Sequence, residues 1–201
     1  MKRFDCMKLL AAKLKDELVV LSLGGSVDEW FTAAPHMREA SLFQQQLGCL
    51  TPEAFGLAVG LPHRRIVALD TDGGMLFNLG ILATLANERP TNLTVFIWDN
   101  ECYQSIGCPP THTAGIVDLE GIAKGAGIPH AYTARNLEEF ERLATDALAL
   151  NELHMIVAKV EPMVEPDLVR KQSDGFEDTV TFVRYIEKTE NVSIIGPTEH
   201  N

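Results

Sequence analysis

The chain has 201 residues, 46% of them hydrophobic, and a formal net charge of −11 at pH 7. That is enough apolar material for one domain whose sheet is covered on both faces. The charge excludes a nucleic-acid binder, since no basic stripe is available to neutralise phosphates, and no apolar run is long enough for a membrane span.

Residues 4–16 place Phe4, Met7, Leu10, Ala11 and Leu14 at helical spacing and predict a first helix packed on the sheet. Lys13, Lys15, Asp16 and Glu17 stand where a signal peptide needs apolar residues, so a cytoplasmic protein is expected. Residues 18–23 read as a buried strand, ended by Gly24-Gly25-Ser26. Residues 28–41 mix aromatic and polar side chains around Pro35 and read as a loop. It is either solvated or turned toward a substrate or partner through His36 and Arg38. Gly48-Cys49-Leu50 then precedes a helix over residues 52–60, with Thr51 as N-cap and Pro52 at the first helical position.

Residues 66–107 organise the chain. An apolar run over 66–69 stops at Asp70-Thr71-Asp72-Gly73-Gly74, and a helical pattern continues through Met75, Phe77, Leu79, Leu82 and Leu85. A second buried-type strand over 93–98 ends at Asp99-Asn100. Strand, crossover helix and parallel strand return the chain in one direction, so both acidic turns leave the carboxyl edge of the sheet, where open α/β sheets bind ligands. Asp72 and Asn100 offer the hard oxygen atoms that Mg²⁺ or Ca²⁺ prefers. Gly73 and Gly74 let backbone N–H groups approach a phosphate. One diphosphate bridged by one divalent cation would satisfy both turns.

Residues 104–116 are rich in Gly, Pro and Thr without periodicity, which suits an active-site loop or a plain connection; His112 is their one acid–base side chain. A short helix over 118–127, a strand over 130–133, an amphipathic helix over 137–150 and a strand over 154–160 complete a βαβ cadence. It predicts an α/β fold, a parallel sheet with helices on both faces. The pattern weakens after Glu161, with one amphipathic segment over 176–186. We read a single domain over 1–187 and a flexible C-terminal tail over 188–201. Cys6, Cys49, Cys102 and Cys108 show no C-x-x-C spacing, so neither a zinc site nor a disulfide framework is indicated, and Cys102 and Cys108 read as bystanders.

The two acidic turns also carry a resemblance. Thr71-Asp72-Gly73 and, after residues 74–99, Asn100 with Tyr103 behind it resemble the cofactor motif of thiamine diphosphate enzymes. The wider text is LGCLTPEAFGLAVGLPHRRIVALDTDGGMLFNLGILATLA, NLTVFIWDNECYQSIG and PPTHTAGIVDLEGIAKGAGI. It is similar to the separate cofactor-binding (beta) subunits of sulfopyruvate decarboxylase and to the phosphonopyruvate decarboxylases. The resemblance implies a thiamine diphosphate-binding fold (the diphosphate-binding domain), with thiamine diphosphate and Mg²⁺ (or Ca²⁺) as cofactors. It implies a metal held by Asp72, Asn100 and the backbone carbonyl of Cys102. Cofactor contacts follow from Gly25, Ser26, Cys49, Leu50, Thr71, Asp72, Gly73, Gly74, Asn100 and Tyr103. Ser26 is alternatively a helix N-cap, and Leu50, the candidate to prop the cofactor into its bent shape, is alternatively core. Thr71 stands where the family has Gly, which strains the turn if φ is positive there. Asp99 stands for the first Asn of the pair and adds a negative charge beside the expected metal.

In that family a glutamate from a separate pyrimidine-binding domain completes the site, and this chain offers one α/β domain and no second one. The resemblance therefore implies half an active site: a partner alpha subunit bringing the glutamate, self-association, and a small anionic 2-oxo acid as substrate. An apolar strip near Leu50 and the 104–116 loop is the expected contact, and His112 is a weak catalytic candidate. A catalytically inactive binding or regulatory subunit is the alternative. A Rossmann-type dinucleotide domain fits less well, because no G-x-G-x-x-G follows a strand.

Overall fold

The computed structural model describes residues 1–44, 46–163, 168 and 175–196. Its strands are β1 (Leu18–Ser22), β2 (Ser41–Gln44), β3 (Ile66–Thr71), β4 (Leu93–Asp99), β5 (Ala131–Ala134) and β6 (His154–Lys159). They form one sheet in the order β2-β1-β3-β4-β6-β5, with every neighbouring pair parallel. All residues of β1 and β4 are buried, which is why these strands read as continuous apolar runs rather than as alternation.

The helices are α1 (Arg3–Lys13), α2 (Gly25–Ala33), α3 (Leu50–Gly60), α4 (Asp72–Phe77), α5 (Ile81–Glu88), α6 (Leu119–Ala126), α7 (Leu137–Ala149) and α8 (Gly175–Glu190). α1 lies against α2 and α7, and α7 packs on β5 and β6. α3 lies on β1, β3 and β4 and touches α5, which touches α6. The amphipathic spacing of α7 buries Phe140 against Phe96 and Trp98, with ring centroids 5.7 Å from each. Among the described residues no helix is long and apolar enough to cross a membrane.

Several elements differ from the sequence reading, each for a tertiary reason. The expected loop over 28–41 is largely α2, a 3₁₀ turn at Pro35–Met37 and the start of β2. Trp30 is fully buried and donates from Nε1 to Ser41 Oγ at 3.0 Å, so core packing overrides the polar composition. The helix expected through Met75 and Leu85 is broken between α4 and α5, where Asn78 Nδ2 donates to Gly48 O at 3.0 Å. The tail expected from Lys188 is still α8 as far as Glu190, whose carboxylate pairs with His63 at 2.6 Å and with Arg64. The N–H groups of Ile194 and Ile195 then fold back onto Glu187. Residues 197–201 of the expected tail lie outside the described residues.

Thr51 is not the N-cap of α3, because the helix already begins at Leu50. Its hydroxyl instead donates to Asp70 Oδ2 at 2.6 Å. Asp70 is buried, and burial pushes its carboxyl up from 3.8 to about 6, against the opposing pull of the Thr51 hydroxyl and the Thr71 N–H. A folded-state value above the ordinary one means that the native state holds the proton more tightly. This group's contribution to stability is therefore full at low pH and declines as pH rises from 3.8 to about 6. At pH 7 the buried carboxylate is ionised and depends on Thr51. The substitution Thr51→Val is expected to cost about 1.5–3 kcal/mol of unfolding free energy at pH 7, and less at pH 5, where Asp70 is protonated in the native state. Urea denaturation at both pH values measures this; an equal loss at the two would contradict it.

Candidate functional site

The chain leaves β1 toward β2 on one side, and β3 toward β4 on the other, so the direction of winding reverses between β1 and β3. Such a switch point opens a crevice at the carboxyl ends of the strands. A cleft of about 270 Å³ lies there. Gly24 and Gly25 reach it from the end of β1, Thr71, Asp72 and Gly73 from β3, and Asn100, Cys102 and Tyr103 from β4. Arg3 of α1 and Leu47 also line it.

Asp72 is 1% exposed, and its Oδ2 accepts from Thr111 Oγ1 at 2.6 Å. Thr113 Oγ1 lies 3.0 Å from the same oxygen and 2.8 Å from Asp99 Oδ1, so its single proton serves one carboxylate at a time. Burial raises the Asp72 carboxyl above its ordinary range, and the charge of Asp99 adds to this against the pull of Thr111. Asp99, expected to add a negative charge beside the metal, is itself paired with Lys159 at 2.7 Å, which offsets that charge. Among the described residues neither Asp70 nor Asp72 has an ion-pair partner, and Asp72 is the one of the two that lines the cleft and could take a cation there.

Asn100, 8% exposed, accepts at Oδ1 from Cys102 N at 3.2 Å, and Nδ2 donates to Gln104 Oε1 at 3.3 Å. The left-handed φ of 61° at Glu101 closes this short turn and fixes the amide at the cleft wall. A carboxylate, an amide oxygen and the nearby Cys102 backbone form an oxygen donor set. It fits Mg²⁺ or Ca²⁺ rather than a thiophilic metal.

Thr71 departs from the expected strain. Its φ of −122° is ordinary extended backbone, and its Oγ1 caps α4 by accepting from Gly74 N at 3.0 Å. The glycines that follow answer to packing. A Cβ on Gly73 would lie 2.6 Å from Tyr103 Cε1, and one on Gly74 would lie 2.3 Å from Asp70 Oδ1.

Of the residues expected to touch a cofactor, Gly25, Thr71, Asp72, Gly73, Asn100 and Tyr103 line the cleft. Gly74, Ser26, Cys49 and Leu50 are not among its lining residues. The Gly74 N–H is taken by Thr71. Ser26 is buried with its hydroxyl donating to Ser22 O and Leu23 O, and Gly24, not Ser26, is the N-cap of α2. Cys49 donates toward Gln46 Oε1 at 3.6 Å. Leu50 is 1% exposed in the core because α3 starts there, and Leu47 lines the cleft in its place.

His112 is exposed and does not line the cleft, but Thr111 and Thr113 on either side hold Asp72. His36 binds Leu14 O at 3.3 Å and Arg38 lies over the Phe31 ring, so neither reaches the cleft. Cys102 and Cys108, read as bystanders, are joined by a disulfide. The loop folds back so that Tyr103 N donates to Pro109 O and Cys108 N to Tyr103 O, which brings the two Cα atoms to 4.9 Å. Arg3 escaped the sequence reading altogether, since nothing marks one cation on an N-terminal helix as buried.

Residues 25–158 match the family described as thiamine pyrophosphate enzyme, C-terminal TPP binding domain. The sulfopyruvate decarboxylase subunit beta of Methanocaldococcus jannaschii is 32% identical over 165 residues, 82% of this chain and 86% of that protein. The phosphonopyruvate decarboxylase of Streptomyces viridochromogenes is 28% identical over 155 residues, 77% of this chain but 38% of that protein. Among solved structures, benzoylformate decarboxylase from Polynucleobacter necessarius superposes with a TM-score of 0.67 at 18% identity, over 83% of this chain and 34% of that one. That likeness shows the fold, and the chain spans about a third of the solved protein's length.

The cap geometry gives a direct test of the unusual Thr71. Thr71→Ala is expected to lower stability by about 0.5–2 kcal/mol through the lost cap, and Thr71→Gly by only a few tenths. Neither should stabilise, because there is no positive φ to relieve. A gain of more than about 1 kcal/mol for Thr71→Gly in thermal or urea denaturation would show that the turn is strained after all.

Proposed function

The chain belongs to the thiamine pyrophosphate enzyme family, through that family's C-terminal TPP binding domain. From this premise we propose that it is the cofactor-holding subunit of a thiamine diphosphate- and Mg²⁺-dependent 2-oxo acid decarboxylase. The observation that carries the reading is that Asp72 and Asn100, from adjacent strands β3 and β4, share one cleft at the switch point of the sheet. Asp72, Asn100 and the Cys102 carbonyl would hold one Mg²⁺ or Ca²⁺, and the backbone at Gly25 and Gly73 would face the diphosphate. Bound thiamine diphosphate supplies the electron sink that takes up the pair released when a 2-oxo acid loses CO₂. Thr111 and Thr113 hold Asp72 in place, while Lys159 holds Asp99 toward β6.

Among the described residues that line the cleft, Asp72 is the one carboxylate, and a metal ligand cannot also serve as general base. The base is therefore expected from a partner: an alpha subunit with a pyrimidine-binding domain and its glutamate. Similarity to a protein named subunit beta, matched over most of its length, supports this. Phe77 at the end of α4 and Ile106 and Ile116 of the long loop are exposed, and they replace the buried Leu50 as the expected apolar contact for partner or self-association. The names of the relatives point to a small anionic 2-oxo acid such as sulfopyruvate or phosphonopyruvate. Residence in the cytoplasm is part of the proposal. The regulatory alternative drew on strain at Thr71, and the extended φ of that residue withdraws its support.

Calorimetric titration of thiamine diphosphate with Mg²⁺ should give saturable binding to the wild type. For Asp72→Ala the affinity should fall roughly a hundredfold, the effect of losing one charged contact of about 3 kcal/mol. Equal affinities would sink the metal assignment. In CO₂-release assays on a panel of 2-oxo acids, the chain alone should lack the roughly 10²- to 10⁴-fold that a general base contributes. Addition of an alpha partner should restore turnover. Robust turnover by the single chain would overturn the half-site reading.

A further inference from the structure

Arg3 is a buried cation that the proposed chemistry does not yet use. Its side chain is 6% exposed, and its Nε donates to Glu29 Oε2 at 2.6 Å, with Glu29 1% exposed. Its Nη2 is buried and has no hydrogen-bond partner among the described residues. The large majority of buried side-chain donors have a partner, so an unmade bond calls for an explanation, and a bound anion is one. Arg3 lines the same cleft as Asp72, Asn100 and Gly25. Among the described residues that line this cleft it is the one cation, as Asp72 is the one anion.

We propose that Arg3 is an anion-binding residue of this cleft: Glu29 holds one edge of the guanidinium, and the donor left over at Nη2 binds an anionic oxygen of a phosphate, phosphonate or sulfonate group. Glu29 is a positioning residue. It offsets part of the cost of burying the charge and holds the planar fork by one edge before any ligand arrives. The charge balance favours the assignment. A diphosphate carries more negative charge than one divalent cation neutralises, and a sulfonate or phosphonate end on a 2-oxo acid likewise needs a partner beyond the metal. The proposal rests on the functional reading above, and the anion comes either from the cofactor or from the substrate.

Two variants test it. Arg3→Lys keeps the charge and can still pair with Glu29 but loses the fork; the double variant Arg3→Met with Glu29→Leu removes the pair without stranding a buried charge. Circular dichroism and a thermal melt check that each is folded. Binding of thiamine diphosphate and of inorganic diphosphate, each with Mg²⁺, is measured by calorimetry. KM is measured for sulfopyruvate and for pyruvate in the complex with the alpha partner at saturating cofactor.

If the anion is the cofactor's, both diphosphate affinities fall about tenfold to a hundredfold in the folded variants while the KM values hold. If it is the substrate's, cofactor affinity holds, and KM for sulfopyruvate rises by a similar factor while that for pyruvate does not. A folded variant in which neither diphosphate affinity nor the sulfopyruvate KM moves would overturn the proposal and leave Arg3 as a structural ion pair. If the wild type bound no thiamine diphosphate the functional reading would fall by itself, and Arg3 would be judged on inorganic diphosphate alone. Failure to bind that as well would overturn both.

Discussion

Three carboxylates, Asp70, Asp72 and Asp99, are buried at the carboxyl ends of β3 and β4, and the surrounding structure is arranged to make that burial possible. Isolated buried charges are too costly to persist, so each must find protons or a cation. Each draws on a different segment. Asp70 takes the Thr51 hydroxyl from α3, Asp72 takes Thr111 and Thr113 from the long loop, and Asp99 takes Lys159 from β6. The first turn of α3, the loop and the far side of the sheet are thereby held to one point. Asp70 and Asp72 both remain without a cationic partner among the described residues, and of the two Asp72 is the one that lines the cleft.

The same constraint explains the glycines and the aromatic ring beside them. Gly74 is needed because the Asp70 carboxylate occupies the place of its Cβ, and Gly73 because Tyr103 does. The turn is thus packed from below by a carboxylate and from one side by a ring, and its upper surface faces the cleft. Thr71 fits this arrangement because it sits one residue before the tight contacts, in extended backbone, where a hydroxyl is useful as a cap.

Charge is distributed across the cleft in the same manner. On one wall Asp72 and Asn100 present oxygen; across the β1 to α2 turn, Arg3 presents a donor that Glu29 keeps in position. Among the described residues that line the cleft none is a carboxylate or imidazole free to act as a base apart from Asp72. On the proposed reading such a site would be half of a catalyst, completed by a base from a partner.

The fold and the two acidic turns at the carboxyl edge of the sheet were legible in the sequence because they depend on local pattern. Fully buried parallel strands are apolar throughout, and Asp72 and Asn100 end two of them with the right residue types. What rested on contacts between distant segments was not legible. Trp30 makes a helix of a polar stretch by packing against the core, and Asn78 breaks a helix by bonding Gly48. The start of α3 at Leu50 turns that side chain inward and leaves Leu47 at the cleft. Arg3 and Glu29 look like surface charges until α1 and α2 are brought together over the end of the sheet. Periodicity and turn chemistry encode which element forms and which edge it reaches. Which side chain meets which across 20 or more residues is decided by packing, and no local pattern reports it.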